Sequence, residues 1–416
     1  MLRKFTFIDK ALLSNITYLG LLQLVNIILP LLTYPYLIHT LGDSLYGELV
    51  YVQSIVSFLV IFVGFGLGIQ GSIKISLNRL DKEKMGETLS TIYIIKTFFI
   101  IVAFVILSLI IELNPDYHRL KLLFYLSMWM CFYDAYFPGW YFQGIEQMKW
   151  ITILSVLTRS IFTLGIFLII NSPEDYLLYP IAHGIGAMAT IIISFYIIHV
   201  RHKIPLKYVS KSQIVNTLKE SSPVFISNLA INSSSSLSKI FVGNSLSFAD
   251  VAVYDLGEKI LTILRTPLSI LSQVLLPKTS RIKAPVNSLA IRNMMLIIGM
   301  VLTLIGLASS KWLVSFLGSG EMNGAWKYVM VFICYIPFHA LHSFYSVLFL
   351  IPYGRQNVFM RITLLIGIFT GTVFYTMHIF HCPLLYYVIG GLMIEMFSVL
   401  LLHYQAHKLI KLKYEL

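Results

Sequence analysis

Apolar residues in this chain neither alternate nor keep to one narrow stripe; they run on for twenty or more positions, stop at a short polar break and resume. A helix needs about 20 apolar residues to cross the hydrocarbon of a bilayer, whereas a membrane β-barrel shows alternating segments of about 10 residues. The pattern therefore predicts transmembrane helices. Twelve runs are read, near 12–38, 46–72, 88–112, 121–143, 150–171, 177–200, 223–245, 251–276, 291–310, 327–351, 359–380 and 385–406. The seventh is the least apolar, because Asn232 and the serines at 233–236 interrupt it. It is kept because its removal would break the alternation of charge in the loops.

Charge then sets the orientation. An even number of spans puts both termini on one side, and on that side the termini and loops hold 22 of the 31 Lys and Arg residues. The opposite loops hold only Arg119, Lys121, Lys311 and Lys327. By the positive-inside rule the termini are cytoplasmic. A multi-pass membrane protein is expected. The formal charge of +12 is thereby explained without a nucleic-acid partner. Met1 to Lys10 is short and basic and leads into an apolar run too long for a cleavable signal peptide, so none is expected.

Composition agrees: 57% of residues are hydrophobic and 12% charged, where soluble chains carry ~45–50% and ~25%. Cys131, Cys334 and Cys382 are an odd set and imply no disulfide framework. No loop is long enough to bury a soluble catalytic core. The chain has no phosphate-binding loop, no metal-ligand cluster and no nucleophile elbow. No cofactor and no metal are expected, and the chain reads as a transporter rather than an enzyme. The glycines of GFGLG at 64–68 lie within a span, where close helix packing explains them.

The basic loop at 201–222 divides the spans into six and six. Three pairs repeat at nearly one offset and at matching places in the topology: Tyr46 and Tyr254, Gly144 and Gly354, Pro173 and Pro383. The domains are read as an N-terminal six-helix bundle over 1–205, a cytoplasmic basic linker over 206–222 and a C-terminal six-helix bundle over 223–416. Six spans per half make the halves parallel repeats, which enclose a site near the membrane midplane. The fold class is thus an all-α membrane protein, twelve transmembrane helices in two six-helix bundles around a central cavity.

Ionisable groups inside spans cost roughly 2.5–3.5 kcal/mol each on insertion scales, so they face an interior, pair or work. In the seventh span Asn228, Asn232, Ser235 and Lys239 share a face about 60° wide. In the eighth, Asp255, Lys259, Thr262 and Thr266 form a stripe, with Glu258 and Arg265 on its flank. Hairpin symmetry puts Lys239 level with Glu258, and Asp134 level with Arg159. Asp255 and Lys259 form an i, i+4 pair. Asp134 and Arg159 either neutralise each other or serve a wet interior. Lys96 is read as snorkelling to the cytoplasmic interface. Arg265 has no evident partner, and a diphosphate or an acidic sugar would supply the missing anion. Tyr335, His339, His342 and Ser346 share a face of the tenth span, where hydrogen-bonded neutral histidines are expected; Glu395 and His339 are separate candidates for proton coupling, Glu395 the better.

Several stretches resemble O-antigen flippases, the Wzx-type polysaccharide exporters: LPLLTYPYLIHTLGDSLYG within 23–47, PGWYFQGIEQMK at 138–149, SSPVFISNLAIN at 221–232, YDLGEKI at 254–260 and LLPKTSR at 275–281. The resemblance runs through the first two-thirds of the chain; the last third is similar mainly in hydropathy. It implies two six-helix bundles, a cationic internal cavity, alternating access, and transport of undecaprenyl-diphosphate-linked oligosaccharide from the cytoplasmic to the periplasmic leaflet, with ion coupling and an assembly with a polysaccharide polymerase and chain-length regulator. Glu258 and Lys259 match the family's Glu-Lys pair, and Gln143, Gly144 and Glu146 its fourth-span turn. Asp255, Gly257 and Gln147 depart from the family pattern.

Arg159, Lys239, Lys259 and Arg265 are therefore the expected substrate-binding residues of a cavity between the bundles. Asp134, Asp255, Glu258, Asn228 and Asn232 are its expected polar partners. Two rivals remain at this point: an ion-coupled multidrug exporter of the same superfamily, and a membrane-embedded polysaccharide polymerase or glycosyltransferase.

Overall fold

The computed structural model describes residues 10–282 and 285–414, with side chains described outside 10–17, 19, 231–234, 274, 277–278, 280–282, 285–289, 356 and 410–414. Among these residues the chain is helical and holds no strand. The helices are α1 (Lys10–Gly64), α2 (Leu67–Leu77), α3 (Lys82–Leu113), α4 (Lys121–Ser127), α5 (Trp129–Tyr136), α6 (Gly139–Gly144), α7 (Met148–Ile169), α8 (Leu178–Phe195), α9 (Lys211–Ser245), α10 (Phe248–Ile282), α11 (Pro285–Leu317), α12 (Trp326–Ile333), α13 (Ile336–Ser343), α14 (Gln356–Ile379) and α15 (Leu384–Tyr414).

Eight helical stretches among the described residues are long and apolar enough to cross a membrane. The first, Gly20–Leu77, runs through two of the expected spans, because the helix is kinked rather than ended at Gly42 (φ 78°, ψ 168°). That φ lies in the left-handed region, which glycine enters without steric cost. Three expected spans are not among the eight. The stretch 121–143 is broken into α4, α5 and α6, and 223–245 and 251–276 hold most of the polar side chains noted above. Large apolar side chains point outward on the rest: Leu304 is 68% exposed, Ile368 69% and Leu168 73%. Such a surface is stable only in lipid. The chain is a multi-pass membrane protein.

The residues fall into two compact units. The first takes the chain up to Leu41 with Ile55–Leu229; the second takes Gly42–Ser54 with the chain from Ala230 on. The stretch 206–222 is packed into the first unit. The backbone N–H of Lys207 donates to Ser90 (2.8 Å), its ammonium pairs with Glu83, and Lys74 meets Glu220 at 2.7 Å. Nearby, Asp81 caps α3 by accepting from the backbone N–H groups of Glu83 and Lys84. The Lys84 bond holds its carboxyl below the usual carboxylate range.

Small residues let helices of each unit approach closely, which is how membrane helices pack without a hydrophobic driving force between them. In the first unit a Cβ on Gly186 would stand 2.6 Å from the Thr158 carbonyl oxygen, and one on Gly66 2.9 Å from the backbone of Phe225 and Ser221. The hydroxyls of Thr158 and Thr190 bond each other across the α7–α8 contact. Of the GFGLG glycines, Gly66 serves the close approach to α9 and, at φ 70°, also the break between α1 and α2, whereas a Cβ on Gly68 would meet only Trp140 at 3.9 Å. In the second unit Gly47 lies against the Phe248 carbonyl and Gly257 against the Phe332 ring.

Candidate functional site

The second unit contains the densest polar cluster. Helices α9 and α10 are joined by a tight turn in which Ser247 and Asp250 cap α10: the Ser247 N–H and hydroxyl donate to the Asp250 carboxylate at 3.1 and 2.6 Å, and the Asp250 N–H donates back to the Ser247 Oγ at 3.2 Å. This hairpin brings Lys239 level with Asp255 and Glu258. The Lys239 ammonium lies 2.8 Å from Asp255 and 2.9 Å from Glu258. Asp255 also pairs with Lys259, one helical turn further on. The Tyr46 hydroxyl donates to Asp255 (3.0 Å) and accepts from Lys259 (2.7 Å), and Ser235 donates to Glu258 (2.7 Å). Two lysines and two carboxylates make the cluster neutral. Asp255 is 4% exposed, so its charge is carried by its partners rather than by water.

Beside this cluster lies a cavity of about 410 Å³. Its ionisable lining is Glu258, Arg265, His339, His342 and Glu395; hydroxyls of Ser235, Thr262, Thr363 and Ser398, the rings of Tyr254, Phe332, Tyr335 and Phe359, and the aliphatic side chains of Leu261, Ile366 and Ile394 line it as well. One of the spans that form it is interrupted at the cavity. The expected tenth span ends one helix at Ile333 and starts another at Ile336, with Pro337 in the first turn of α13, where a proline needs no N–H partner. The span then continues as a π-helical turn, Phe344–Leu350, a feature that clusters at functional sites. His339 Nδ1 lies 3.4 Å from the Glu395 carboxylate, and His342 Nδ1 shares a hydrogen bond with Ser398 (2.8 Å). The two imidazoles lie nearly parallel, 6.2 Å apart. Arg265 has no carboxylate within 4.0 Å among the described residues, although Glu395 is within its electrostatic reach.

Among the described residues of the first unit, a buried lysine pairs with a partly exposed aspartate. Lys96 is 3% exposed and bonds both the Asp134 carboxylate (2.8 Å) and the Asp134 backbone carbonyl (2.6 Å). Gly64 leaves room for that carboxylate: a Cβ there would stand 3.3 Å from it. Two readings from sequence are corrected. Lys96 does not snorkel to an interface, and the partner of Asp134 is Lys96, not Arg159. The break between α5 and α6 at Phe137 and Pro138 turns this part of the chain away from a simple hairpin, so the depth argument for Asp134 and Arg159 does not carry. Arg159 sits half-buried on α7.

The model of the family described as polysaccharide biosynthesis protein matches residues 12–283. The chain belongs to the polysaccharide biosynthesis protein family. The matched span includes both buried charge clusters and Arg265, and stops short of His339 and Glu395. Two relatives of this family member carry the name "Putative O-antigen transporter". The one from Escherichia coli (strain K12) is 25% identical over 86% of this chain and 88% of its own length. The one from Shigella dysenteriae is 23% identical over 90% and 93%. Among solved structures, the lipid II flippase MurJ in an inward closed conformation superposes with a TM-score of 0.74, at 15% identity over 94% of this chain and 87% of its own. An inward-facing multidrug resistance MATE transporter of the MOP superfamily gives 0.68, at 12% identity over 92% and 99%. The fold of this polysaccharide biosynthesis protein is similar to that of these two transporters.

Of the residues singled out from sequence, the structure brings Lys239, Asp255, Glu258 and Lys259 into one network and places Arg265, Glu258, His339 and Glu395 on one cavity. Asp134 and Arg159 belong to the first unit, as does Asn228; Asn232 lies outside the described side chains. Tyr46 enters the sequence reading only as one of a repeated pair, yet its hydroxyl bridges Asp255 and Lys259. The one sequence signal that could have found it is its near-repeat with Tyr254, a neighbour of Asp255.

Proposed function

We propose that this protein is a flippase for undecaprenyl-diphosphate-linked repeat units of O-antigen or a related surface polysaccharide. In this reading twelve transmembrane helices form two six-helix bundles in the bacterial inner membrane, with both termini cytoplasmic. The bundles work by alternating access and carry the repeat unit from the cytoplasmic to the periplasmic leaflet. The polar headgroup is held by protein groups while the polyprenyl tail stays in lipid, which removes the cost of drawing sugars and phosphates through hydrocarbon. Arg265 and Arg159 are the proposed direct contacts. Lys239 and Lys259 would serve by exchanging their carboxylate partners for substrate oxygens. Asp134 holds Lys96 in place through its carboxylate and its backbone carbonyl. His339 with Glu395 is the proposed proton-coupling pair, and a polysaccharide polymerase with its chain-length regulator the proposed partners.

The observation that carries this reading is the polar cavity around Arg265, His339 and Glu395 inside a unit whose outer surface is apolar. It is joined by the family match and by relatives named as O-antigen transporters. A strain lacking the chain is expected to accumulate complete lipid-linked repeat units on the cytoplasmic leaflet and to lack the surface polysaccharide. Accumulation of single, incomplete sugars would instead mean a transferase, and normal polysaccharide together with gained sensitivity to cationic dyes would mean a multidrug exporter on the same fold.

A further inference from the structure

The tenth span and α15 are tied by three polar rungs that lead away from the cavity. His339 meets Glu395 at 3.4 Å, His342 meets Ser398 at 2.8 Å, and the Tyr345 hydroxyl meets His403 at 2.8 Å. The partners advance together along both elements, so the two run parallel and the rungs form one line. The first rung lies on the cavity wall. The last ends on His403, which is exposed, as are His407 and Lys408 beyond it. From Glu395 to His407 the helix rises about 18 Å, at about 1.5 Å per residue, against a hydrocarbon thickness of about 30 Å. Rungs that only joined two helices would need no more than hydroxyls, such as those that pair Thr158 with Thr190. Here each rung carries an imidazole. In each the bonding atom is Nδ1, which leaves Nε2 on the opposite edge of the ring. An imidazole that accepts at one nitrogen and donates at the other passes a proton on. Successive imidazoles also lie side by side: His339 and His342 are nearly parallel at 6.2 Å, and His403 and His407 are 6.3 Å apart. From His342 to Tyr345 the tenth span rises about 4.5 Å, a step that one bridging water covers.

We infer that this line is a proton path, from Glu395 and His339 at the cavity through His342, Ser398 and Tyr345 to His403 at the exposed end of α15. Chains of acidic and histidine side chains inside membranes serve such relays in pumps and transporters. Each imidazole takes a proton at one nitrogen and releases one from the other, and each hydroxyl does the same at its oxygen. One proton thus leaves at His403 for each that enters at Glu395, and rotation of rings and hydroxyls restores the line. From α10 the cavity end is faced by Glu258 and Arg265; a cation there repels a proton toward the far end. The inference rests on the flippase reading, in which that far end is cytoplasmic and a repeat unit moving out exchanges for a proton moving in.

The test follows protons and substrate in the same vesicles. The purified full chain is reconstituted with its C-terminal end outward, with the dye pyranine in the lumen and the lipid-linked repeat unit from a deletion strain in the membrane. Protection of the repeat unit from added glycosidase reports its movement, and pyranine reports the lumenal pH. With the wild-type chain the lumenal pH is expected to rise as the repeat unit becomes protected. His403→Gln keeps a hydrogen bond to Tyr345 but carries no proton, and Tyr345→Phe removes the hydroxyl and keeps the ring. Each is expected to slow the pH rise at least fivefold at a wild-type melting temperature, while His403→Glu, which titrates, recovers at least half of the wild-type rate. A rung that only held the helices together would give the reverse order, with His403→Gln near wild type and His403→Glu worse. That order would overturn the path, and the His403 pair decides it even where Tyr345→Phe does not fold. A repeat unit that becomes protected at an unchanged lumenal pH would overturn the path and leave the flippase reading standing. Vesicles in which neither protons nor repeat unit move would remove the flippase reading and the path with it, so the two failures are distinguishable.

Discussion

Asp255→Asn is expected to be among the most damaging single substitutions in the second unit. Asp255 is 4% exposed and serves two lysines and a tyrosine at once. Removing its charge takes one carboxylate partner from each of Lys239 and Lys259, in surroundings with little water to compensate. Breaking a buried ion pair by deleting one partner costs about 3–5 kcal/mol, a large fraction of the ~5–15 kcal/mol that holds a domain together. The variant is expected to reach the membrane at a fraction of the wild-type level and, in detergent, to melt well below wild type. Adding Lys259→Met, which removes one stranded charge, should recover part of the loss, with a coupling energy within the ~0.5–3 kcal/mol seen for residues in one network. Equal melting temperatures for Asp255→Asn and wild type would contradict the network as described.

The Lys96–Asp134 pair is expected to behave the same way in the first unit. Lys96 is the more buried partner, at 3% exposure, so neutralising Asp134 strands the more costly charge. Asp134→Asn should therefore destabilise, by less than the about 3–5 kcal/mol of a fully buried pair, because Asp134 is itself 34% exposed and its backbone carbonyl still accepts from the ammonium (2.6 Å). The double variant Asp134→Leu with Lys96→Met should stand closer to wild type than Asp134→Asn does, because apolar replacement of a whole buried pair is often neutral or better. Melting temperatures of the two single variants and the double decide it. Strict additivity of the two losses would show that the side chains do not act as a pair.

The sequence made some of this arrangement legible and hid the rest, for reasons that lie in distance along the chain. Helical periodicity and a short turn were enough to bring Lys239 to Glu258 and Lys259 to Asp255, since each pair is either one helical turn apart or symmetric about the cap formed by Ser247 and Asp250. His339 and Glu395 were each legible as ionisable groups inside a span, but their meeting at 3.4 Å joins α13 to α15 and needs tertiary packing. The Lys96–Asp134 pair was missed because its partners are 38 residues apart on helices that no short turn joins. Tyr46 was missed for a further reason. The kink at Gly42 gives the segment Gly42–Ser54 to the second unit, while the helix on either side belongs to the first. Hydropathy cannot register such an exchange. It reports which residues prefer lipid, and all of this segment's neighbours do.

The breaks within helices had the same fate. Runs of apolar residues predict continuous spans over 121–143 and 327–351, whereas each is divided into shorter helical pieces. Pro138 and Pro337 mark the places, but many membrane helices tolerate proline without a break. What decides is whether neighbouring groups take up the freed carbonyls. At the second break the Cys334 N–H is shared between the carbonyls of Met330 (3.3 Å) and Val331 (3.1 Å), a tightened last turn. The cavity lies where that turn ends.

The central claim is that protein groups around Arg265 carry a lipid-linked oligosaccharide across the bilayer, and proteoliposomes test it most directly. The lipid-linked repeat unit extracted from the deletion strain is reconstituted with purified protein, and its arrival on the outer leaflet is followed by cleavage with an added glycosidase. The wild-type chain should bring the protected half of the substrate within reach of the enzyme, and Arg265→Gln, inserted in equal amount, should slow this at least tenfold. Wild-type vesicles no faster than protein-free ones, or Arg265→Gln vesicles as fast as wild type, would contradict the account.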